Sequence, residues 1–391
     1  MDALPGTSGS GIYHYNGSSR KVIGVNTNCT PKYGLAVKLN NRKTRMLGAL
    51  IDDYPNSSAC EADSDGDGMI DVEDNCRFVF NPEQFDLDND GVGLACDTHI
   101  LINPSNEVTR QNILSKFTIY GYEGVSFNDR ASLRNGQLIG GKSIEMGDMS
   151  NAGSLLAGSL GINIREHSSL IGSAITSGEI KTSNASLFKV SGAKISYASV
   201  ELPEIPTSLP PDWIHIPPIY TSTIEKGEHN VLYKNKAYGN IIIKSGGILE
   251  LTSTGNFVMR SLIMEPGSKL IVKGIEWGAP TRIFIKDDFS FRGKIEPPEP
   301  YRSNGALITE TVSASHLLIV TFETGTIPIE RTINATIVAP HGVLNISVPP
   351  AYGEYTPLIR GSFFAKYIFI HQDTIVIPIT FAFSWWGNSR E

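Results

Sequence analysis

The segment Ile243-Lys-Ser-Gly246-Gly-Ile-Leu249-Glu-Leu251 recurs as Met264-Glu-Pro-Gly267-Ser-Lys-Leu270-Ile-Val272 at an offset of 21 residues, with Ile285 at the next interval. A period near 20, made of short apolar runs separated by turn residues, is what stacked coils of a parallel β-helix produce, because each coil buries its apolar face only against its neighbours. The same grammar of brief triplets broken by Gly, Ser, Asn or Pro runs from about residue 115 onward, as in Ile241-Ile242-Ile243 and Ile283-Phe284-Ile285. Earlier coils look smaller, since Ile164 to Ile175 resembles Ile180 to Ile195. Short alternating strands also occur in antiparallel sandwiches and barrels, which is the competing architecture.

Of the 391 residues only 19% are charged, and the 38 Gly and 22 Pro favour strands and turns over long surface helices. The composition therefore reads as all-β. A net charge of −7 gives no basic face for phosphate, so nucleic acid is not an expected partner. The longest apolar run, Tyr367 to Trp386, is interrupted by His371, Gln372, Asp373 and Pro378 and makes a poor membrane span. Met1 to Gly6 lacks the basic and apolar regions of a signal peptide, which suits a mature or trimmed chain. Residues 1–59 read as a flexible Gly/Ser lead-in and a small β module containing Lys21 to Val25 and Gly34 to Leu39. Residues 60–98 form an acidic module, 115–201 a small-coil lobe, and 219–391 a larger-coil lobe. Between the lobes, the Pro-rich stretch 202–218 cannot sustain a central sheet and reads as a linker.

The acidic module carries the sharpest chemistry. Asp63, Asp65, Asp67, Asp71 and Asp74 place oxygens at positions 1, 3, 5, 9 and 12 of a loop, with Gly68 at the sharp turn and the Met69 carbonyl at position 7. A cation of calcium's size requires six to eight oxygens around one turn of chain, and this spacing supplies them. Asp74 stands where a longer Glu is usual, which tunes the affinity downward. A second loop, with Asp86, Asp88, Asp90, the Val92 carbonyl and Asp97, repeats the pattern after a spacer containing Asn81 and Gln84. A merely solvated acidic loop would not set carboxylates at alternate positions with glycine next. All four cysteines, Cys29, Cys60, Cys76 and Cys96, lie in the first quarter, consistent with two local disulfides in an oxidising compartment. Zinc is the competing use, but no CxxC or Cys/His pair has ligand spacing; among disulfides, three pairings remain open.

The run Asp71-Val-Glu-Asp74-Asn75-Cys76, then Asn81-Pro82-Glu83-Gln84, then Asp86 to Gly93 and Cys96-Asp97 resembles the thrombospondin type 3 calcium repeat. The resemblance covers about a tenth of the chain, and Arg77 and Leu94 depart from the usual Pro and Asp. It implies a bound calcium ion, a Cys76 to Cys96 disulfide that leaves Cys29 to Cys60, and a secreted or surface protein with the repeat as a stiff connector. The part from Tyr238 onward, with Tyr238-Gly-Asn-Ile-Ile-Ile, Ser290-Phe-Arg-Gly, Ala335 to Pro340 and Gly361 to Lys366, resembles bacterial secreted β-helical domains of the bactofilin-like type.

The expected fold is thus all-β, a right-handed parallel β-helix body preceded by a calcium-loop module and a small N-terminal β module. The expected function is an extracellular calcium-binding structural or adhesive surface protein, with self-association and a carbohydrate or cell-surface ligand as possible partners. A secreted carbohydrate-active enzyme with structural calcium is the alternative, since β-helices also carry polysaccharide lyases and hydrolases. Its best carboxylates, Asp287 and Asp288 beside Lys286, are strand neighbours that point to opposite faces, and His341 and His371 stand alone, so no catalytic residue is assigned. Six Asn-x-Ser/Thr sequons, at Asn16, Asn28, Asn56, Asn184, Asn334 and Asn345, suit a secreted glycoprotein. From Phe363 the chain is β-branched and aromatic with few charges, an adhesive edge that another subunit, the N-terminal segment, or Trp385 and Trp386 folding back must cover.

Overall fold

The computed structural model describes residues 63–82, 84–88, 90–101, 117–134, 136–202, 205, 221–273, 279–296, 315–347 and 358–381, and the backbone of strands Gly11–Tyr15, Arg20–Asn26, Ala36–Lys38, Arg302–Ser303 and Ala306–Leu307. These residues are all-β apart from one short helical stretch at 315–316. No helix among them is long and apolar enough to cross a membrane. The chain forms two compact units, residues 1–86 with 91–93, and residues 87–90 with 94–391.

In the first unit, Gly11–Tyr15, Arg20–Asn26 and Ala36–Lys38 make an antiparallel sheet with a bulge between Ile12 and Tyr13. The strand-like runs at Lys21 to Val25 and around Ala36 are its second and third strands.

Apart from one antiparallel hairpin, Arg302–Ser303 with Ala306–Leu307, the described strands of the second unit pair in parallel, in sheets of seventeen, six, four and two strands, which removes the antiparallel sandwich as a description of it. The 21-residue repeat is the register itself, because Ile243 pairs with Met264, Leu249 with Leu270 and Leu251 with Val272. Like residues stack on like, and Ile243, Met264, Leu249, Leu270, Leu251 and Val272 are all sealed from solvent in one apolar core. The next interval is longer than the period: Met264 pairs with Phe291, and Ile285 pairs with Met259. In the smaller coils Ile175 pairs with Ile195 as the resemblance of those segments requires, whereas Ile180 pairs with Ile162 and not Ile164.

Ladder order is a cyclic shift of chain order. Phe363–Ile370, near the end of the chain, pairs in parallel with Ile119–Phe127, where the body begins, with Ile368 beside Val125 and Ile370 beside Phe127. Ile375–Pro378 likewise pairs with Ser132–Leu133. The apolar C-terminal strand is therefore covered within the chain, which satisfies its edge groups without a second subunit. The stretches 115–201 and 219–391 share this one unit and its core. Of the Pro-rich stretch 202–218, only Leu202 and Ile205 are among the described residues, as Trp385 and Trp386 are not.

Candidate calcium-binding site

The first acidic loop is shaped by its own carboxylates. Asp63 accepts from the Gly66 amide at 2.8 Å and the Gly68 amide at 3.0 Å, closing the turn. Gly68 has φ +99°, a left-handed conformation that a side chain would strain. Asp65 accepts from the Asp67 amide at 3.2 Å, and Asp67 from the Met69 amide at 2.8 Å. The result brings one carboxylate oxygen each from Asp63, Asp65 and Asp67 within 4.8 Å of one another.

Such convergence is unfavourable for bare anions. Oδ2 of Asp65 and Oδ2 of Asp74 are buried and have no hydrogen-bond partner. Burial first, and then the charges of Asp67, Asp74 and Asp63, push the Asp65 carboxyl above its ordinary pKa. Converging carboxylates with buried, unanswered oxygens fit a hard divalent cation, whose charge offsets both penalties. Asp63, Asp65, Asp67 and Asp74 are the residues that would hold it.

Asp71 is placed differently from the spacing argument. Its Oδ1 accepts from the Ser64 amide, and its Oδ2 from the Ser64 hydroxyl, both at 2.8 Å, while Arg77 pairs with Oδ2 at 3.0 Å. Burial raises the Asp71 pKa, but the Ser64 hydrogen bonds and Arg77 outweigh it and hold the carboxyl below its ordinary value. Arg77, the departure from the family's proline, thus has a local role, and its guanidinium also lies over the Phe78 ring at 5.1 Å.

The spacer contributes more than its composition signals. Gln84 Nε2 donates to Asp74 Oδ1 at 2.9 Å and lies 3.3 Å from Asp67 Oδ2, while its Oε1 accepts from the Asn75 amide at 2.9 Å. The Asn81 amide donates to the same Asp67 oxygen at 3.0 Å. One side-chain amide therefore ties together positions 5 and 12 of the loop, holding ligands in place from the next layer out. The spacing of the carboxylates assigns Gln84 no role, and its backbone stands in the left-handed region at φ +47°.

The second loop copies the first in part. Asp86 accepts from the Gly91 amide at 2.9 Å, the same five-residue offset as Asp63 and Gly68, and Asp86, Asp88 and Asp90 again bring oxygens within 4.8 Å. Asp97 is buried and accepts from the His99 amide at 2.7 Å. Burial and the charges of Asp88 and Asp90 raise its pKa. Val92, whose carbonyl the spacing nominates, is 39% exposed.

Cys76 and Cys96 are bonded to each other. Gly93 packs so closely on Asn75 that a Cβ there would come within 2.1 Å of Asn75 Oδ1, and its amide donates to the Asn75 carbonyl at 2.9 Å. Cys29 and Cys60 lie outside the described residues.

Asp287 and Asp288 occupy a bend after Thr281–Ile285, and Asp288 accepts from the Ser261 hydroxyl at 3.2 Å while Asp287 lies 3.8 Å from Arg260. They are not strand neighbours facing a groove.

Comparison with known proteins agrees with this geometry where it reaches. No curated protein and no solved structure matches the chain, so the bactofilin-like resemblance of the C-terminal part gains no counterpart. Residues 58–84 match the thrombospondin type 3 repeat, an extracellular calcium-binding module, over the whole of the first loop and its Asn81 to Gln84 spacer.

Proposed function

We propose that this is an extracellular structural or adhesive surface protein in which calcium stiffens residues 60–97 and a right-handed parallel β-helix forms the body. The observation that carries the reading is the convergence of Asp63, Asp65 and Asp67 around buried oxygens that no protein group answers, inside the segment that matches the repeat family. The disulfide between Cys76 and Cys96 supports an oxidising compartment. Parallel ladders whose register follows a period near 20 support the β-helix, and parallel crossovers are right-handed almost without exception. The chain acts by binding and display and not by catalysis, with self-association by end-to-end stacking and a carbohydrate ligand as parts of the same reading.

Limited proteolysis with calcium and with chelator tests it. Chelation should open cleavage between Cys60 and Cys96 well before the body is cut. Equal cutting rates in that segment under both conditions would refute the role of the ion.

A further inference from the structure

A second site lies on the outer face of the body. Register sets Asn345, Phe369, Ser126, Glu145 and Asn163 side by side in one row across five neighbouring strands. Their strand neighbours Leu344, Ile368, Val125, Ile144 and Ile162 point inward and are buried, so the row faces outward. One step along the same face, Tyr367 stands next to Phe369, with ring centroids 4.6 Å apart and planes at 34°. Tyr367 pairs with Gly124, where a Cβ would come within 2.9 Å of the tyrosine Cε2, so the missing side chain lets the ring rest against the sheet. Phe369 is 39% exposed, an aromatic surface presented to solvent.

The row continues into a cleft of about 600 Å³, floored by Ser126, Glu145 and Asn163 and walled by the turns that carry Asp129, His371 and Asp373. That volume is in the range of about 300–1,000 Å³ typical of small-molecule sites. Its polar groups are held in place beforehand: His371 Nε2 is 2.6 Å from Asn345 Oδ1, Arg130 grips Asp373, and Asp129 accepts from the Asp148 amide at 2.9 Å. Preset groups lose less freedom when a ligand arrives.

We propose that this cleft, with Tyr367 and Phe369 beside it, binds a neutral polysaccharide chain. The proposal rests on the adhesive part of the reading above and supplies its ligand class and its place. A pyranose ring has an apolar face of C–H groups and a rim of hydroxyls that both donate and accept. Exposed aromatic rings suit the face, while Ser126, Glu145, Asn163 and His371 suit the rim. Among the described residues, carboxylate triads that close to within 4.8 Å occur only in the two acidic loops, so Asp129, Glu145 and Asp373 do not make an ion cage. Asp373 is paired with Arg130 and Asp129 lies 3.8 Å from Arg165, so Glu145 is the carboxylate of the lining with no ion pair among the described residues, and its charge disfavours uronate, sulfate and phosphate ligands.

The test is calorimetry on the full chain in calcium, with cellohexaose and chitohexaose as neutral probes and trigalacturonate as the charged control. At least one neutral hexasaccharide should bind, and Phe369→Ala and Glu145→Gln should each weaken it by about tenfold while leaving the thermal melt in place. Trigalacturonate should bind more weakly than the neutral probe. No heat from either neutral probe at millimolar concentration, equal affinity in both variants, or tighter binding of trigalacturonate would overturn the proposal. Asp67→Ala, altered only in the acidic loop, should lose calcium affinity and keep the saccharide. Wild-type protein that takes up calcium but neither hexasaccharide would sink the cleft and leave the calcium reading standing.

Discussion

Arg130 donates two hydrogen bonds to Asp373, from Nε at 2.7 Å and Nη2 at 2.8 Å, across 243 residues of chain. This fork sits beside the ladder that joins Phe363–Ile370 to Ile119–Phe127, so it fastens the end of the body to its beginning. Both partners are nearly half exposed, and water screens the pair. Arg130→Ala should therefore lower the melting temperature only by about 1–2 °C.

The same pair fixes a pH dependence. Its hydrogen bond to Arg130 holds the Asp373 carboxyl below its ordinary 3.8. A carboxylate with a lowered folded-state pKa contributes stability that is fully present above about pH 4 and disappears as pH falls through the lowered value. Melting of wild type and Arg130→Ala should differ at pH 6 and converge as the pH falls below the ordinary carboxylate range, and a difference that grows on acidification would contradict the assignment.

Gly140 tests the tight turn within one coil. A Cβ there would lie 2.0 Å from the Ser143 carbonyl oxygen, and its ladder neighbour Gly121 meets the Gly124 carbonyl at the same distance. Backbone cannot yield as a flexible side chain does, so Gly140→Ala should destabilise the body by about 1–3 kcal/mol in denaturant unfolding. An unchanged midpoint would show that the turn between Gln137–Gly140 and Ser143–Met146 is looser than its geometry indicates.

How much of this was readable in the chain depends on distance. Parallel stacking sets like residues one coil apart, so Ile243 and Met264 announce their pairing through the repeat. Asp63, Asp65 and Asp67 are equally legible, because a loop that wraps one ion takes all its ligands from a dozen neighbouring residues. The pairing of Ile368 with Val125 leaves no such trace, since the two strands share β-propensity with every other strand of the body. Arg77 and Ser64 were invisible as partners of Asp71 because the spacing rule specifies positions and not competing hydrogen bonds. The cleft floored by Ser126, Glu145 and Asn163 draws on strands and turns far apart in sequence, and no local pattern marks it.

The Cys76 to Cys96 bond closes a loop of about 20 residues, worth about 3 kcal/mol on chain-entropy grounds. Reduction should make the acidic module more sensitive to chelator and leave the melt of the body unchanged. Non-reducing peptide mapping should recover the two cysteines in one linked fragment.

Gln84 should matter to calcium although it carries no charge. Its amide ties Asp67 and Asp74 together, so Gln84→Ala should weaken calcium binding by about 10–100-fold, the usual scale for losing a group that orients ligands. Gln84→Glu adds charge without the donor and should not restore the affinity.

Calcium titration of the metal-stripped full chain by calorimetry tests the central claim most directly. The wild type should bind with a dissociation constant of about 0.1–1 mM or tighter, as extracellular modules do, and Asp67→Ala should lose the first-loop site while Asp97→Ala retains it. Absence of calcium-dependent heat in the wild type at several millimolar calcium, or identical isotherms for wild type and Asp67→Ala, would contradict the account.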